Sequence, residues 1–163
     1  LRNKLSKYSV LVLILTLVFV VWFLYEKTIS YSKPSESLIA LKEDLLLIPA
    51  YNLNGTALFF FIKNEDNLET TEKVNLGATY VQEGLLGWKA EYLAWSPIDS
   101  KRNYETLNSY QGYGDNLIYG IIKYNENLHI KVGGKNVKTI NLETLPSNVV
   151  EEYQLENLSI WYF

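Results

Sequence analysis

The chain has 163 residues, no cysteine, a single histidine and a formal net charge of −3, with 48% hydrophobic and 14% aromatic residues. The lack of Cys excludes disulfides, thiolate metal sites and a lipoprotein anchor, and one His leaves little for zinc, copper or histidine-based catalysis. The charge is split: residues 1–27 carry a net +3, whereas residues 28–163 carry eleven Lys and Arg against seventeen Asp and Glu, net −6, which argues against nucleic acid as a partner.

Residues 8–25 (YSVLVLILTLVFVVWFLY) form eighteen positions without a charge. As an α-helix they span ~27 Å, close to the ~30 Å hydrocarbon core of a bilayer, and in lipid only a helix satisfies the backbone of a lone segment. Arg2, Lys4 and Lys7 precede the stretch, whereas Glu26 and Lys27 follow it and cancel. The positive-inside rule then predicts a cytoplasmic N-terminus (1–7), a signal-anchor helix (8–25) in the cell membrane, and an extracellular remainder. Tyr8 at one end and Trp22 and Tyr25 at the other stand where interfacial aromatics belong. The competing reading is a secreted protein released by signal-peptide cleavage near Ser30-Tyr31-Ser32. That site fits the small-residue pattern weakly, and the apolar run exceeds the ~7–15 residues of such signals.

Residues 26–36 are polar, contain Pro34 and read as a stalk; residues 37–163 are long enough for one domain with its own core. Ser35 predicts a short helix through Lys42, with Leu38 and Leu41 on one face. From Leu45 the pattern turns to strands. LLLIPAY (45–51) and TALFFFIK (56–63) flank Asn54-Gly55, a hairpin signal, and Pro49 places the first run at a sheet edge or bulge. VNLGATYVQ (74–82) leads through the glycine-bounded turn 83–87 into WKAEYLAW (88–95), read as one strand. Residues 96–116 form a polar stretch of unusual length for a compact domain. LIYGIIKY (117–124), LHIKV (128–132) and KNVKTINL (135–142) read as a three-strand meander, and the apolar LSIWYF (158–163) as a paired strand. The expected fold is mainly β: a transmembrane helix followed by an antiparallel β-sandwich or small open barrel.

Few residues suggest chemistry. His129 lies mid-strand without a nucleophile motif, and Gly133-Gly134-Lys135 fails the phosphate-loop pattern on both sides and fits a hairpin turn. Glu65, Asp66 and Glu69, and Asp115-Asn116, lack the spacing of a calcium loop. No metal and no cofactor is implied. The long loop alone gathers suitable groups: Tyr104, Tyr110 and Tyr113 could stack on a sugar ring, beside the acids Asp99, Glu105 and Asp115.

Lys outnumbers Arg thirteen to two and Asn occurs fifteen times, which with the missing Cys points to an AT-rich Gram-positive bacterium. The segments ALFFFIK (57–63), LGATYV (76–81), GLLGWK (84–89), LIYGII (117–122) and IWYF (160–163) together resemble small uncharacterised membrane-anchored or exported proteins of Bacillus-type bacteria. The resemblance implies a single β-rich extracytoplasmic domain and carries no established activity. The expected function is a non-enzymatic, single-pass envelope protein whose ectodomain binds a protein or wall component. The alternative is a domain that binds or cleaves wall saccharide through loop 96–116.

Overall fold

The structure is a computed structural model and describes residues 2–65, 73–90, 93–98, 104, 110–111, 117–123 and 130–163. Helix α1 (Arg2–Thr28) is followed by α2 (Pro34–Leu41) and then by strands β1 (Leu46–Leu53), β2 (Thr56–Glu65), β3 (Lys73–Gly84), β4 (Gly87–Lys89), β5 (Ala94–Ile98) and β6 (Tyr110–Gln111). There follow β7 (Ile118–Lys123), β8 (Lys131–Val132), β9 (Lys135–Asn136), β10 (Lys138–Asn141), a 3-10 turn (Leu142–Thr144), helix α3 (Ser147–Glu152) and β11 (Leu158–Tyr162). The domain is mainly β, as expected, with every described strand pair antiparallel and no closed barrel.

The apolar side chains of α1 stand in solvent along its length, from Val10 to Leu24. A helix with no polar face has nothing to gain from water, so this surface calls for an apolar medium. Helix α2 begins at Pro34, whose missing N–H suits a first helical position, and its cap is Lys33 rather than the expected Ser35. The Glu36 carboxylate reaches back to accept the Lys33 backbone N–H at 3.2 Å. Leu38 is fully buried, but Leu41 is half exposed rather than sharing its face.

Sheet A has the order β1-β2-β3-β4, with β5 also on β3. Asn54 and Gly55, at φ 52° and 72°, form the two-residue turn between β1 and β2 that the sequence predicts. Pro49 lies in the edge strand β1 beside a register shift, where its missing donor costs nothing. Sheet B has the order β10-β11-β7-β6, and β8-β9 form a separate hairpin. The expected meander of β7 with the two following strands does not form. Lys131, Lys135 and Asn136 on β8 and β9 are exposed and offer little apolar surface, so β7 pairs with the apolar β11 instead. Gly133 and Gly134 turn that hairpin at positive φ.

WKAEYLAW is two strands rather than one. Both pair with β3, β4 at Gln82–Gly84 and β5 at Val74–Ala78, and the register between them shifts by one residue. In an unbroken strand, Trp88 and Trp95 fall on opposite faces, because side chains alternate. The shift puts both on the outer face, where Trp95 meets Phe61 edge-on at 6.5 Å and Trp88 packs with Leu38, Ala57, Phe59 and Val81.

The core lies between the sheets. Leu58, Phe60, Ile62, Leu76 and Ala78 from sheet A meet Tyr119, Ile121, Ile160 and Tyr162 from sheet B. Phe60 is the central ring, 5.3 Å from both Tyr119 and Tyr162. On the far face of sheet B, Trp161 and Ser159 are also buried, and Trp161 stacks on Phe163 at 6.5 Å. The Ser159 hydroxyl and the Trp161 indole N–H have no hydrogen-bond partner among the described residues. Phe60→Ala should therefore lower stability by about 3–5 kcal/mol, by opening a cavity at the sheet interface. Ser159→Ala should raise it by about 1 kcal/mol, because it removes an unsatisfied buried hydroxyl. Thermal unfolding of the full chain in mild detergent, followed by near-UV circular dichroism, measures both.

Candidate functional site

Of the three loop tyrosines that the sequence offers for stacking, the structure places the ring of Tyr104. Tyr104 is 6% exposed and belongs to the inter-sheet core, while its carbonyl accepts the Lys123 backbone N–H at 3.0 Å. A ring committed to the core offers no face to a sugar, so Tyr104 is corrected from binding to packing. Tyr110 lies in β6, paired with Tyr119. Asp99, Glu105, Tyr113 and Asp115 lie outside the described residues, as does His129. Among the described residues, no group of three or more His, Cys, Asp and Glu is placed to hold a metal ion.

A different site emerges where α1 meets the domain. The last turn of α1 carries Glu26, and its carboxylate pairs with the Lys89 ammonium on β4, each side chain only about one-fifth exposed, at 20% and 21%. Five residues on, Tyr31 pairs with Trp88 as a short antiparallel bridge. The Tyr31 N–H donates to the Trp88 carbonyl at 3.0 Å, and the Trp88 N–H donates back at 2.8 Å. The segment expected to be a stalk is thus stitched to the edge of sheet A. Gly87 permits this approach: its φ is +135°, and a Cβ there would stand 2.5 Å from the Tyr31 carbonyl oxygen.

Between these elements lies a cavity of about 320 Å³. Glu26, Ile29 and Tyr31 form one wall, Ser37, Ala40 and Leu41 of α2 another, and Lys89 and Ala90 the third. The volume is at the lower end of small-molecule pockets, and the lining joins apolar walls to one charge pair. The Ser37 hydroxyl is occupied, donating to the Pro34 carbonyl at 2.7 Å. Nothing local in the sequence links Glu26 to Lys89, 63 positions apart, so reasoning from motifs missed the site. The one usable signal is the charge that ends the apolar run.

A second polar cluster lies at the sheet edges, where Lys138 of β10 sits 5.4 Å from the Tyr51 ring and 5.9 Å from that of Tyr162. Burial pushes the Tyr80 phenol up to about 12, and its hydrogen bond with Tyr51 adds to the shift; burial also raises Tyr162. An unfolded Tyr80 would lose its proton near pH 10, whereas the folded one holds it to about 12. Between those values the folded state binds more protons, so stability should fall as pH rises from about 10 to 12 and be flat below. Melting temperatures recorded from pH 8 upward check this, and Tyr80→Phe should make the decline shallower.

No protein-family model, curated protein or solved structure matches the chain.

Proposed function

We propose that the chain is a single-pass membrane protein whose β domain works by binding, without catalysis, at the outer surface of the cell membrane. The observation that carries this reading is α1: Tyr8–Thr28 is 21 residues long, has a mean hydropathy of 2.5, and has none of its most apolar stretch buried against the protein. At ~1.5 Å per residue such a helix is ~31 Å long, the thickness of a bilayer core. The positive flank at Arg2, Lys4 and Lys7 favours a cytoplasmic N-terminus. Retention of the helix is favoured by its contacts with the domain, since cleavage near Ser32 would remove Tyr31 from Trp88 and Glu26 from Lys89. The binding half of the reading rests on the junction cavity. With Tyr104 in the core, the saccharide reading loses one of its three rings.

Because the chain lacks Cys, single-cysteine variants report topology cleanly. Ser147→Cys, at an exposed helix start, should react with a membrane-impermeant maleimide on intact cells, and Ser6→Cys only after permeabilisation. The reverse pattern would overturn the orientation, and full-length protein in the soluble fraction the anchor. Release of new reducing ends from wall glycan by the purified chain would overturn the non-enzymatic reading.

A further inference from the structure

We infer that the cavity at the helix–domain junction is a lipid-headgroup site that takes a zwitterionic phospholipid bearing a primary amine. The inference rests on α1 spanning the membrane, and its first support is depth. Glu26 lies in the last turn of the Tyr8–Thr28 span and lines the cavity, so the cavity opens where a bilayer places its headgroups. The second is charge. A carboxylate and an ammonium stand side by side with no net charge, both mostly buried. That arrangement gives a simple anion or cation no advantage, whereas a molecule carrying a phosphate and an amine a few bonds apart answers both. The phosphate would face Lys89 and the amine Glu26, each exchanging one partner for another of the same sign. A primary ammonium can donate hydrogen bonds to Glu26, which a trimethylammonium cannot.

Shape is the third. The remaining walls, Ile29, Ala40, Leu41 and Ala90, are apolar, and Leu41 is half exposed at the end of α2. They suit the glycerol and first methylenes of a lipid whose chains stay in the bilayer. About 320 Å³ holds a headgroup and not a whole lipid.

The full chain, reconstituted in nanodiscs of equimolar phosphatidylethanolamine, phosphatidylglycerol and phosphatidylcholine, can be extracted with mild detergent and its retained lipid counted by mass spectrometry. Phosphatidylethanolamine should be enriched about fivefold over its bulk share, a preference within reach of one charge-assisted hydrogen bond. The doubly neutral variant Glu26→Gln, Lys89→Met should return the ratio to bulk. Ala40→Phe, which crowds the cavity and leaves the ion pair in place, should do the same with an unchanged near-UV spectrum. Retention in the bulk ratio, enrichment of phosphatidylglycerol or phosphatidylcholine instead, or enrichment that survives both variants would overturn the inference. Failure of the wild-type chain to enter nanodiscs at all would instead strike the membrane reading beneath it.

Discussion

A strand that is apolar on both faces has to be covered twice, and β2 imposes that condition on the rest of the fold. Ala57 through Ile62 are six consecutive buried positions. The even-numbered side chains, Leu58, Phe60 and Ile62, require a second sheet, which β7 and β11 provide through Tyr119, Ile121, Ile160 and Tyr162. The odd-numbered ones need a different cover, and Leu38 of α2 supplies it over Ala57 and Phe59, with Trp88 and Val81 completing the patch. Each fully buried side chain of this size contributes roughly 1.5–3 kcal/mol, so neither layer is dispensable in a domain of this length.

The second cover bears on how α1 joins the domain. The chain leading into α2 passes along β4, and there Tyr31 meets Trp88 and Glu26 meets Lys89. Packing on the outer face of sheet A thus brings with it the joint between α1 and the domain. An exposed ion pair would contribute little to such a joint; this one is largely shielded from water, and the backbone bridge beside it holds its geometry.

What was legible in the sequence was local or periodic. The Asn54-Gly55 turn follows from the backbone angles it requires, the bulge at Pro49 from a missing donor, and α1 from unbroken apolarity. Partner choice was not legible, because it depends on which apolar faces remain after the others have paired. LHIKV reads as well beside β7 as β11 does, yet β7 pairs with β11. The break between Trp88 and Trp95 was hidden for a related reason. Alternation predicts opposite faces, and only the competing demand of Phe61 and Leu38 for outer cover brings both indoles to one side. Polar neighbours marked Tyr104 as a surface ring, but the composition of a loop does not say which way one side chain turns.

The position of β11 bears on how the protein is made. It is the last described strand in chain order, yet it lies inside sheet B, between β7 and β10. Those two strands leave the ribosome first, and neither gains the neighbour they share until β11 inserts between them. Until it does, Phe60 and Tyr119 lack the cover that Ile160 and Tyr162 of β11 give them in the core. Closure of sheet B, and of the core beneath it, therefore waits on insertion of β11 between two strands that precede it in the chain.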